Sequence, residues 1–171
     1  MNRDSEAFGA LIDDLTLAIR HVEDQAERYH SMRRRADAVA PQDAEGQEMA
    51  TAAVGFEIHN LYNAVENYFL RIAKFFENQL EGSTWHRDLV NRMATSAAGL
   101  RPPLLNAGEL APFHELRAFR HVFRVIYDDR LDPRRLALAE EQIAPALRSL
   151  GAAHTAYIEK LKEIRRALVD E

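Results

Sequence analysis

The chain has 171 residues, 47% of them hydrophobic and 29% charged, with a formal net charge of -5 at pH 7 and no cysteine. This length and apolar content suit one domain, expected to span 1–171, and they exclude a disulfide framework, a thiolate metal site and a cysteine nucleophile. The acidic balance argues against a general polyanion-coating role, so any nucleic-acid contact has to come from a local basic patch.

No apolar run approaches the length of a membrane span, and Met1 to Glu6 is polar and charged without the pattern of a signal peptide. A soluble, cytoplasmic protein with no membrane partner is therefore expected. Nearly every segment has helical periodicity, and nothing alternates with the period of a strand. Phe8, Leu11, Leu15, Ile19, Val22, Ala26 and Tyr29 mark a first helix of about 33 residues that ends near Val39-Ala40-Pro41. A second opens at Asp43, runs through Val54, Ile58, Leu61, Tyr62, Val65, Phe69, Ile72 and Phe76, and is closed by Gly82. A short third starts at a Ser83 or Thr84 cap and runs to about Ala98, where Gly99-Leu100-Arg101-Pro102-Pro103 breaks it. A fourth begins between Glu109 and Pro112 and ends around Asp129. Asp132-Pro133 then caps and starts a fifth through Leu136, Ile143, Leu147, Leu150, Tyr157, Leu161, Ile164 and Leu168, with Pro145 expected to kink it. The expected fold class is all-α, an antiparallel bundle of four to five helices.

The fourth helix holds the most informative stretch. Leu116, Phe119, Phe123 and Ile126 form a stripe that faces a core, while Arg117, Arg120, His121 and Arg124 follow one another along a second stripe. A solvated helix face usually mixes signs, and here the acids Asp128 and Asp129 come only at the end, where the helix dipole favours cations. Guanidinium groups suit phosphate because their planar fork grips its oxygens in bidentate fashion and stays charged at any working pH. Metal-free RNA cleavage needs a base for the 2'-hydroxyl proton, an acid for the leaving oxygen and cations at the phosphorus oxygens. One histidine and several arginines are enough. No cofactor is expected and no metal ligand set is visible: His114-Glu115 lacks the second histidine of a zinc motif, because position 118 is alanine.

The run Arg117-Ala118-Phe119-Arg120-His121-Val122-Phe123-Arg124, followed by Tyr127 and Leu131-Asp132-Pro133, resembles the HepT-like branch of the HEPN superfamily. Leu61-Tyr62-Asn63-Ala64-Val65-Glu66 and Trp85-His86 resemble it too, and the likeness spans roughly positions 50 to 150. It implies a helical toxin paired with a minimal nucleotidyltransferase antitoxin, RNA as substrate, and a two-fold homodimer that joins an arginine and a histidine from each copy. In that pattern four to six residues separate the arginine from the histidine. The corresponding pair here would be Arg117 and His121, as catalytic residues with three between them, and Arg120 and Arg124 would bind RNA phosphates. The related toxins have a tyrosine two residues after the histidine, where the antitoxin attaches nucleotide. Phe123 stands there in this chain, and the nearest tyrosine is Tyr127, a candidate for modification or for supporting the site.

Plainer readings of the same residues stand beside this one. Arg117, Arg120 and Arg124 could pair with Glu57, Glu66 or Glu77 and hold the bundle together. His59 shares a side of the second helix with Asn63 and Glu66 and reads as a hydrogen-bonded structural histidine. Tyr62 and Tyr68 read as core aromatics, Trp85 as a packing residue, His86 as a cap and His154 as a lone histidine on an apolar face. A non-catalytic helical subunit that docks a nucleotidyltransferase or a nucleotide is the alternative function.

Overall fold

A computed structural model describes residues 3–76, 85–96, 101–126 and 130–170. The described residues form five helices, α1 (Arg3–Asp37), α2 (Ala44–Phe76), α3 (Trp85–Arg92), α4 (Ala111–Val125) and α5 (Pro133–Asp170), with a 3-10 turn at Ala107–Glu109. There is no strand among the described residues, and no helix of the described chain is long and apolar enough to cross a membrane.

The corners follow from local chemistry. Asp43 accepts the Gly46 amide at 2.9 Å and so caps α2, while Gln47 Nε2 donates to the Val39 carbonyl at 2.8 Å and ties down the α1–α2 connection. Asp132 accepts the Arg134 amide at 2.9 Å, with Pro133 in the first turn of α5. Helix α5 passes through Pro145 without interruption. The carbonyl that loses its donor there belongs to the exposed Glu141, within reach of water.

Helix α2 is central and packs against all four other helices. Phe8 against Phe75 and Phe76 sets α1 antiparallel to it, and Asp14 meets Arg71 further along the same seam. Phe69 against Phe113, with Asn63 against Arg120, sets α4 antiparallel to α2. Val54, Ile58, Leu61, Tyr62, Val65, Phe69 and Ile72 of α2 are all buried, and they join Leu15 and Val22 of α1 and Leu150, Tyr157 and Leu161 of α5 in one core.

Two helices end earlier than their periodicity predicts. Helix α3 stops at Arg92 rather than near Ala98, because the chain folds back on its end: the Leu104 and Leu105 amides both donate to the Met93 carbonyl, and Arg101 donates to that of Arg92 at 2.7 Å. Burying Leu104 and Leu105 favours that return. Helix α4 stops at Val125, and Ile126 is already extended. Leu131 and Phe123 are brought down over Gly55, where a Cβ would come within 2.6 Å of Leu131 Cδ2 and 2.9 Å of Phe123 Cε2. A straight continuation of α4 would carry the chain away from that contact. The expected caps at Gly82, Ser83 and Thr84 lie outside the described residues, as does Glu77.

Candidate functional site

Packing fixes the phase of α4. Phe113, Leu116 and Phe119 are buried, with the Phe113 ring edge-on to Phe69 at 5.3 Å and Phe119 stacked on Phe123 at 5.9 Å. This sets Arg117, Arg120 and Arg124 along the edge of the helix that overlies α2, with His121 a step further toward solvent. The single stripe expected from the sequence thus divides by depth.

Arg120 turns inward. Its Nε donates to Asn63 Oδ1 at 2.5 Å and its Nη2 lies 3.5 Å from Glu66 Oε2, with the arginine and glutamate side chains 15% and 6% exposed. Asn63 Nδ2 sits 3.0 Å from His59 Nε2, and the His59 ring lies 5.5 Å from that of Phe123. A polar network of four side chains therefore crosses the α2–α4 seam. Burial, reinforced by the Arg120 and Arg124 charges, holds the His59 imidazolium below its ordinary titration range. Tyr62 is fully buried, its hydroxyl without a partner among the described residues, and burial pushes its ionisation far upward, with Glu66 adding to the effect.

Arg117 occupies an intermediate depth, and its Nε is buried with no hydrogen-bond partner among the described residues. His121 and Arg124 are exposed, and neither is hydrogen-bonded or ion-paired within the described chain. Tyr127 and Asp128 lie outside the described residues. Arg117 and His121 sit one turn apart on one helix, with Arg124 about one turn beyond His121, so one phosphate backbone could run along all three. Among the described residues, no three His, Asp or Glu side chains gather as metal ligands.

Among the described residues the pairing expected of the arginines occurs once, between Arg120 and Glu66. Glu57 pairs with none of them, and one of its carboxylate oxygens is buried without a partner. His59 is hydrogen-bonded, as expected of a structural histidine. His154 is not alone on its face, since its Nδ1 meets the Tyr68 hydroxyl at 2.8 Å. Sequence reasoning missed Asn63 as the acceptor for Arg120. The available signal was the polar series His59, Asn63, Glu66 at helical spacing inside an otherwise apolar α2.

A family model described as HepT-like protein matches residues 53–161, well over half of the chain, from within α2 to within α5. No curated protein and no solved structure matches. The match takes in every residue of the α2–α4 seam, and α1 lies before it. The chain belongs to the HepT-like family of the HEPN superfamily.

Proposed function

We propose that the protein is the toxin of a toxin–antitoxin pair, a single-domain, cytoplasmic, metal-independent endoribonuclease whose partner is a minimal nucleotidyltransferase. The observation that carries this reading is the exposed and unpaired state of His121 and Arg124 beside the partly open Arg117. An imidazole free of protein partners can exchange a proton with substrate, and guanidiniums next to it can hold the phosphate. His121 takes the proton from a 2'-hydroxyl, O2' bonds to phosphorus, the P–O5' bond breaks, and an acid returns a proton to O5'. The products are a cyclic phosphate and a 5'-hydroxyl. Each protomer supplies one such histidine, so the active form is a homodimer with α4 facing α4, and the two copies of His121 share the proton transfers. Arg117 acts with His121 at the scissile phosphate, and Arg120 and Arg124 hold flanking phosphates. Tyr127 is the candidate for nucleotide attachment by the antitoxin or for supporting the site.

A second reading rests on position. Counting four intervening residues on from Arg120 arrives at Val125, which is 58% exposed and lies two residues before Tyr127. In that register the face has the family's arginine and tyrosine and a valine in place of its histidine, which favours a non-catalytic subunit that docks a nucleotidyltransferase or a nucleotide. Cleavage of labelled single-stranded RNA, with and without EDTA, separates the two. The ribonuclease reading expects chelator-resistant cutting that falls by about 100-fold or more in His121→Ala and Arg117→Ala with the fold retained. Absence of cutting by the folded dimer, together with its gain in Val125→His, would move the assignment to the second reading.

A further inference from the structure

The hydrogen bonds across the α2–α4 seam can run in only one direction. Arginine has donors alone, so the Asn63 atom that faces Arg120 Nε at 2.5 Å must be the amide oxygen, however the amide is drawn. The atom 3.0 Å from His59 Nε2 is then the amide nitrogen, which is also only a donor. His59 Nε2 must accept, and its one proton is on Nδ1, which is buried and has no partner among the described residues. One arginine thus dictates the tautomer of a histidine two hydrogen bonds away.

We propose that His59 and Asn63 are positioning residues for Arg120, holding its guanidinium with Glu66 in one orientation only while His59 is neutral. The opposite edge of the guanidinium is what this seat presents. Nε and Nη2 are engaged, whereas Nη1 has no partner among the described residues, and the side chain keeps 15% of its surface open beside the exposed Arg124. Immobilising one edge of an arginine fork prepares the other for a phosphate oxygen with less ordering left to do on binding. Stability alone does not call for such a seat, because a buried ion pair can often be replaced by apolar side chains without loss, and the same seam is already closed by the Phe69–Phe113 contact.

The charged groups around His59 all oppose its protonation or are committed elsewhere. Arg120 and Arg124 face it from α4, Phe123 covers its ring, and on α2 Glu66 is engaged by Arg120. A second proton on the ring would bring an N–H against the Asn63 N–H and add a positive charge beside two guanidiniums. Asn63 would then have to turn, taking its oxygen away from Arg120.

The proposal rests on the α4 face being the working surface, under either reading above, only where RNA is the probe. The full-length, 15N-labelled protein tests the seat directly through the long-range imidazole spectrum and the arginine Nε–H signals, followed from about pH 8 to pH 5 around the ordinary histidine value. The Nδ1–H tautomer is expected at neutral pH, together with a distinct, slowly exchanging Arg120 Nε–H signal that disappears as His59 gains its second proton. In His59→Gln, whose carbonyl can accept the same Asn63 N–H, that signal should persist at low pH. In Asn63→Leu it should be absent throughout. Because acid also charges His121 on the same face, the readout is relative: on acidification single-stranded RNA affinity in the wild type should fall about tenfold against that of His59→Gln, the value of one charge-assisted hydrogen bond. An Nε2–H tautomer, or titration of His59 with the Arg120 signal unchanged, would overturn the proposal. If no RNA binds at any pH, the reading of the face fails while the spectra still decide the seat.

Discussion

Helix α2 meets its neighbours in two different ways. Toward α1 it meets Phe8 with Phe75 and Phe76, and its ion pair to that helix, Arg71 with Asp14, is partly exposed at 39% and 44%. Toward α4 it is apolar at the Phe69–Phe113 contact and where Phe123 lies over Gly55, and between them the seam carries His59, Asn63 and Glu66 against Arg120 at much greater depth. Apolar contacts need only shape and stay good at any pH. The buried network needs every donor to meet an acceptor and one histidine to stay neutral, so part of the same helix is held unconditionally and part conditionally.

Phe69→Ala should give the largest effect, a loss of about 3–5 kcal/mol that is the same at neutral and mildly acidic pH, measured by urea unfolding. A much smaller loss would break the comparison by showing that the apolar end does not hold the seam. Next comes Glu66→Leu, which leaves the Arg120 charge short of its carboxylate and should cost about 3 kcal/mol, while adding Arg120→Met should restore most of it. Failure of the double variant to recover would mean that the ion pair, rather than filled volume, stabilises the bundle.

The smallest effect is the acid limb of stability. His59 and His154 are both held below their ordinary range, chiefly by burial, although a weak Glu23 attraction opposes this at His154. With the folded value below the unfolded one, the unfolded chain binds more protons. The stability linked to these groups is therefore fully present above about pH 6.5 and is lost as pH falls from there toward the folded values. Unfolding followed against pH should show that decline, and His59→Gln and His154→Gln should each make it shallower. A curve equally steep in both variants would place the acid sensitivity outside the two histidines.

The helices were legible because the apolar periodicity of α1, α2 and α5 is long and unbroken, and Asp43, Asp132 and Pro133 start their elements as their chemistry dictates. The ends of α3 and α4 were not, because each is set by a distant contact, Leu104 and Leu105 on Met93 in one case and Leu131 over Gly55 in the other. On α4, the sequence put Arg117, Arg120 and Arg124 along one side of one helix, as the structure has them. It could not give their depths, since Arg120 and Arg124 are one turn apart and a small rotation of α4 decides which of them enters the seam. The partner that matters, Asn63, is an ordinary amide whose role exists only across two helices. The same holds for His154, whose Tyr68 partner is 86 positions away.

The chain carries a net charge of -5, yet α4 holds the exposed Arg124 and the partly open Arg117 without an ion pair among the described residues, while α1 packs on α2 and α5. Positive charge held without a carboxylate partner on an acidic chain has a local field of its own. If the ligand is the polyanion proposed above, that field would favour encounters in which the α4 edge leads. Added salt would then slow arrival more than it hastens departure, and the orientation of the first collision, as much as the contacts that follow, becomes a property written into where α1 lies.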